Sequence, residues 1–150
     1  MSSLNILDKI YDFNQVMVTA VVSHTPEHTW SLIGDFATAG EFLNVSGKIV
    51  AGEGGPGTVR LIGDGILEVL AGEGLWSYTY AQIAGPMAAF SYHGSVAVRP
   101  QAEGGAMITY VLTYDQHSFD EEKRSSEHDR LTKRFRGMVD AMKMKVENHG

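Results

Sequence analysis

The stretch GTVRLIGDGILEVL, residues 57–70, decides how the rest of the chain is read. Two short apolar runs flank Gly63-Asp64-Gly65, and each is interrupted by one charge, Arg60 in the first and Glu68 in the second. A three-residue loop at 63–65 sets Ile62 opposite Ile66 and Arg60 opposite Glu68. The charged pair then shares a face with Thr58 and Leu70, while Val59, Leu61, Leu67 and Val69 occupy the other face. Taken alone, this hairpin turns its charges to water, where an ion pair contributes only about 0–1 kcal/mol.

The later strands give the opposite answer. In LWSYTYAQ (75–82) the even positions are Trp76, Tyr78 and Tyr80, against Ser77 and Thr79. In YHGSVAVR (92–99) Tyr92, Val96 and Val98 are even, and His93, Ser95 and Arg99 are odd. MITYVLTY (107–114) places Ile108, Tyr110, Leu112 and Tyr114 at even positions, with Thr109 and Thr113 odd. A sheet keeps one face continuous across paired strands, so even numbers face inward. A turn at Gly72-Glu73-Gly74 sets Glu68 opposite Tyr78 and keeps that parity, which draws Arg60, Glu68 and Tyr78 into one inner row. A one-residue bulge would reverse the result for the early strands.

An ion pair on the inner face costs about 1–4 kcal/mol relative to well-packed apolar residues. The same face holds Tyr78, Tyr80, Tyr92, Tyr110 and Tyr114. That much hydroxyl fits a lined cavity; a tyrosine-rich core with each hydroxyl reaching the rim is the alternative.

Around this region the order of elements is legible. NQVMVTAVVS (14–23) alternates as a strand. TPEHTWSLIGDF follows, with Thr25 as N-cap and Pro26 at the first helical position, and TAGEF adds a second short helical turn. Strands are expected at about 47–52, 57–62, 66–71, 75–82, 91–99 and 106–115. In the tail from 120, Leu131, Phe135, Met138, Val139, Met142 and Val146 fall on one stripe at helical spacing. Consecutive strands with short turns form an antiparallel meander whose apolar face needs a cover, and the tail helix is the one element long enough to supply it. The fold class is therefore α+β.

With 150 residues the chain fits one domain, here 1–150, with 1–12 as an N-terminal extension. Twelve Lys and Arg against eighteen Asp and Glu give a charge of -6, which argues against nucleic acid and anionic membrane surfaces as partners. The absence of cysteine excludes disulfides, Cys-based zinc sites and thiol nucleophiles. The N-terminal MSSLNILDKIYDF has no signal-peptide pattern, and no apolar run reaches the roughly 18 residues of a membrane span, so a cytoplasmic location is expected.

The runs TPEHTWSLIGDF, GGPGTVR, the glutamate of ILEVL, WSYTYAQIAGPM, YHGSVAV and ITYVLTYD resemble bacterial polyketide cyclase/dehydrase-like proteins. These belong to the helix-grip (SRPBCC) superfamily of START domains and birch-pollen-allergen relatives. The resemblance covers about 14–147 and is carried by Trp30, Gly57 to Arg60, Glu68, Tyr80, Pro86 and Tyr92. It implies a seven-stranded antiparallel sheet gripping a long C-terminal helix, two short helices after the first strand, and a ligand cavity between sheet and helix. Two positions depart from the pattern: Phe42 stands where many relatives carry a tryptophan after the first helix, and Tyr110 where another tryptophan is common.

Other motifs carry less. The six histidines show no metal-ligand spacing, and neither metal nor cofactor is expected. GEGGPG (52–57) is followed by a strand and not by a helix, so it reads as a turn and not as a phosphate loop. No GxSxG elbow is present. His128 stands either at a cavity mouth or in a solvated first turn of the tail helix.

These readings define an expected site. Arg60, Glu68, Tyr80 and Tyr92 are candidate catalytic residues, Arg60 for developing negative charge and the others for proton transfer. Phe42, Ile62, Tyr78, Tyr110, Leu112, His128, Leu131, Phe135, Met138 and Met142 are candidate ligand contacts. The expected function is metal-free cyclisation, dehydration or other lyase chemistry on a small, largely aromatic molecule. A carrier or sensor of such a molecule is the second reading, and a partner-binding module using the odd face of 59–69 the third. That odd face also predicts a homodimer.

Overall fold

In the computed structural model, which describes residues 10–149, the alternation seen in the sequence becomes a sheet with one buried face. The chain runs β1 (Phe13–Val22), α1 (Pro26–Ile33), a 3-10 helix (Phe36–Leu43), β2 (Gly47–Ala51), β3 (Val59–Ile62), β4 (Ile66–Gly74), β5 (Ser77–Ala84), a 3-10 turn (Ala88–Phe90), β6 (His93–Pro100), β7 (Ala106–Asp115) and α2 (Glu121–Asn148). Ala106, Ile108, Tyr110, Leu112 and Tyr114 of β7 are all buried, and their odd-numbered neighbours are half-buried. The seven strands form one antiparallel sheet in the order β1-β7-β6-β5-β4-β3-β2. Most of the expected 1–12 extension lies outside the described residues.

The helices start where their caps dictate. Thr25 Oγ1 accepts from the His28 backbone N–H at 3.1 Å, with Pro26 beginning α1. Asp120 Oδ1 accepts from the Lys123 N–H at 2.8 Å, and Glu121 and Glu122 lie at the positive end of the α2 dipole. All six residues of the expected stripe, Leu131, Phe135, Met138, Val139, Met142 and Val146, are buried. Against them the inner sheet face contributes Val16, Val18, Val96, Val98, Ile108 and Leu112, and this contact is the core.

In the first hairpin, Arg60 pairs with Glu68 and Ile62 with Ile66, as the three-residue loop requires. The next hairpin differs from expectation. Glu68 pairs with Gln82, and Tyr78 pairs with Glu73. β4 continues to Gly74, the chain reverses at Leu75 and Trp76, and Trp76 takes the left-handed φ of 57° that the turn needs. Glycines at 72 and 74 look like turn residues in the sequence but lie in the strand. The two-residue turn pairs even positions with odd ones, and a one-residue bulge between Leu70 and Gly72 restores the even pairing, so Leu70 meets Tyr80, Glu68 meets Gln82 and Glu68 faces inward after all. Arg60 and Glu68 are only 2% and 6% exposed.

The outer face is less exposed at the early hairpin than expected. Val59, Leu61, Leu67 and Val69 are half-buried, and the most exposed large apolar side chains on strands are Met17, Val21 and Ile83. The two ends of the sheet are built differently. Beside β1, α2 supplies Arg136, which donates to the Thr19 carbonyl at 2.8 Å, and Glu147, which accepts from the Ser23 N–H at 2.8 Å. β2 is exposed along its whole length, and its pairing with β3 is irregular between Ile49 and Ala51.

Candidate functional site

Arg60 projects from β3 into the space beneath the 3-10 helix. Its Nε donates to Glu68 Oε1 at 2.9 Å, and Nη2 lies 2.8 Å from the same oxygen. Nη1 donates to the Phe36 carbonyl at 3.0 Å and to the Tyr78 hydroxyl at 3.2 Å. The guanidinium carbon lies 4.1 Å from the Phe36 ring centre and 4.5 Å from that of Tyr80, so both faces of the chemistry available to arginine, the donor fork and the cationic plane, are in use. Burial opposes the charge, but Tyr78, Tyr110, Glu68 and Tyr80 together outweigh it, and Arg60 stays protonated.

Burial is also the larger influence on Glu68. It raises the carboxyl above the ordinary range, although the Arg60 charge and the hydrogen bonds of Arg60 and Gln82 pull the other way. Gln82 is itself fixed, its Oε1 accepting from the Met87 backbone N–H at 2.8 Å. Beyond this pair the tyrosines connect to one another. The Tyr80 and Tyr110 hydroxyls are 2.6 Å apart, and Tyr92 lines the same cavity. Burial lifts the hydroxyls of Tyr78, Tyr80, Tyr92 and Tyr110 above their usual range, so they are neutral donors. Gly94 gives Tyr80 its position: a Cβ there would stand 2.6 Å from the Tyr80 Cζ and hydroxyl.

These groups converge on a cavity of about 130 Å³ between the sheet, the 3-10 helix and α2. An apolar cavity of roughly 150 Å³ takes up benzene, so this one fits a single ring. Nine of the expected residues line it: Arg60, Ile62, Glu68, Tyr80, Tyr92, Tyr110, Leu131, Phe135 and Met138. Five do not. Leu112 and Met142 are fully buried in the core, and Phe42 packs there too, with the Lys145 ammonium 5.4 Å from its ring. His128 is half-buried one turn short of Leu131, its carbonyl taken by the Thr132 hydroxyl. Tyr78 lines a second cavity of about 250 Å³ on the other side of Phe36, together with Trp30, Thr58 and Leu70.

The cavity also contains residues that sequence reasoning missed: Gln82 and Met87 on its inner wall, Leu43 of the 3-10 helix, and Pro86, Arg130 and Arg134. Gln82 was legible in principle, because it continues the even positions of β5. Arg130 and Arg134 were not, since charges on a helix read as a solvated face. Among the described residues no cluster of three or more His, Asp or Glu is placed to hold a metal ion.

An antiparallel seven-stranded sheet closed over a long helix, with a polar-lined cavity between them, defines a helix-grip protein. The sequence matches the family model for polyketide cyclase / dehydrase and lipid transport proteins over residues 15–147, and the chain belongs to that family. A protein from Nitrosospira multiformis has the same fold with a TM-score of 0.76 at 18% identity, covering 91% of this chain and 98% of that one. A Thermobifida fusca protein gives 0.75 at 14% identity, covering 89% and 93%. Ara h 8.0201, a structure of the birch-pollen-allergen type, gives 0.65 at 18% identity, covering 90% and 98%. No curated protein matches the sequence. Family and fold together support binding of hydrophobic small molecules. Among the described residues no helix is long and apolar enough to cross a membrane.

Proposed function

We propose that residues 1–150 act as one ligand-binding domain that takes a small, largely aromatic molecule into this cavity and carries out cofactor-independent acid–base chemistry on it, of the cyclase, dehydratase or lyase type. The observation that carries the reading is the convergence of the Arg60–Glu68 pair, the linked Tyr80 and Tyr110 hydroxyls and Tyr92 on a space walled elsewhere by Ile62, Leu131, Phe135 and Met138. Tyr80 and Tyr92 supply protonated donors to an oxygen that gains negative charge. Glu68, its carboxyl raised by burial, exchanges a proton closer to neutral pH than an exposed glutamate would. Arg60 has most of its donors committed and positions Glu68.

Native mass spectrometry of the purified protein for a retained compound, followed by turnover assays with that compound, tests the reading. Glu68→Gln or Tyr80→Phe should then lower turnover by about 100-fold with a smaller change in binding, as for groups that act in the transition state. A compound that is bound and released unchanged would replace the enzyme with a carrier or sensor. The double engagement of Glu68 Oε1 by Arg60 favours that second reading, because it ties up one of the two oxygens a base would use. A cytoplasmic location and a homodimer through the outer sheet face belong to the same proposal; sedimentation equilibrium at micromolar concentration decides the dimer.

A further inference from the structure

Of the residues that line the 130 Å³ cavity, three are exposed: Pro86 in the β5–β6 connection, and Arg130 and Arg134 on α2. They mark its mouth. The charges inside the cavity are already balanced. Arginine has five N–H donors, and four of those on Arg60 are directed at Glu68, Phe36 and Tyr78, with the Glu68 carboxyl beside its charge. An anionic group placed there would meet Glu68 as well as Arg60. The tyrosines offer neutral hydroxyls.

The two arginines at the mouth differ from each other. Arg130 is held by Glu127 in a two-pronged contact, Nε to Oε1 at 3.1 Å and Nη2 to Oε2 at 2.7 Å. Among the described residues Arg134 makes no hydrogen bond or ion pair. Its charge is nevertheless felt inside the cavity, at Glu68 and at Tyr92. On a chain with net charge -6, an unpaired cation at the rim of a cavity sized for one ring is a local feature that the overall charge does not explain.

We propose that the ligand of this cavity carries an acidic group, a carboxylate or its equivalent, that leaves the cavity at its mouth and is met there by Arg134, while its ring lies among Tyr80, Tyr92, Tyr110 and Phe135. The inference rests on the reading of the cavity as the ligand site and narrows the ligand to aromatic acids. Arg134 selects the acid and fixes which end of the ring faces Tyr80 and Tyr92, and Arg130 adds less because Glu127 already offsets its charge.

Calorimetric titration of the full chain with benzoate and with benzamide, its uncharged counterpart of the same shape, tests this. Benzoate should bind about fivefold more tightly at low salt, the most that a single exposed ion pair usually contributes. The preference should shrink as salt is raised. Arg134→Gln should bring the two affinities together, and Arg130→Gln should reduce the preference less. Equal binding of the two probes, or a preference that survives Arg134→Gln, would overturn the proposal and leave the cavity standing as a ligand site. If neither probe binds, the reading of the cavity fails, and the proposal with it.

Discussion

Arg60 and Glu68 are a costly pair to keep on the inner face of a sheet. Replacing a buried ion pair by apolar residues of similar volume is commonly neutral or stabilising, whereas removing one partner strands a charge and destabilises by about 3–5 kcal/mol. Arg60→Ala and Glu68→Ala should each show a loss of that size in urea unfolding, and Arg60→Met combined with Glu68→Leu should recover most of it. If the double variant is as unstable as the singles, the pair is needed for folding and its burial is no evidence of a functional site. The tyrosines make a second prediction. An unfolded tyrosine ionises near pH 10, and burial raises those of Tyr78, Tyr80, Tyr92 and Tyr110 in the folded state. Their contribution to stability is complete below about pH 10 and is lost as pH rises beyond it, because the unfolded chain releases protons that the folded chain retains. Absorbance at an alkaline tyrosinate band should therefore rise for these residues together with the loss of far-ultraviolet dichroism; ionisation well ahead of unfolding would contradict their burial.

Single elements show why some of this could be read from the sequence and some could not. Parity was legible, because β5, β6 and β7 alternate over eight or more residues each and every even position is apolar, aromatic, glycine or glutamine up to the strand ends. The pairing of β4 with β5 was not. Glycine at 72 and 74 signals a turn, whereas the actual turn uses Trp76, a residue that rarely takes positive φ. The mouth arginines were hidden for a different reason: how far along α2 the sheet closes depends on strand lengths that no local pattern carries. The stripe of α2 was read in full, since six buried residues at helical spacing leave little choice. Packing between elements gives a further prediction. Gly94→Ala on β6 would bring a methyl group to 2.6 Å from the Tyr80 phenol on β5, so Tyr80 must swing away from Tyr110. Overpacking of this kind costs about 1–3 kcal/mol. Thermal unfolding should show that loss, together with a changed near-ultraviolet tyrosine signal.

For the molecule as a whole, the sheet is open and therefore has two free ends, and they carry different risks. Exposed strand edges present unpaired backbone groups that template pairing with another chain. At β1 the long helix intervenes, with Arg136 and Glu147 occupying main-chain groups of Thr19 and Ser23. At β2 nothing comparable stands in the way among the described residues, yet the strand is five residues long, irregularly paired at Ile49 and Ala51, and carries Lys48 between glycine and isoleucine. Shortness, irregularity and a lysine are the means by which natural sheets keep such edges from seeding aggregates. Lys48 then protects the sheet against self-assembly, and its neighbours Ile49 and Val50 make the protection necessary. Lys48→Val should leave the unfolding midpoint nearly unchanged while light scattering on prolonged incubation at high concentration rises, so that solubility in this protein is decided at the far end of the sheet from its gripping helix.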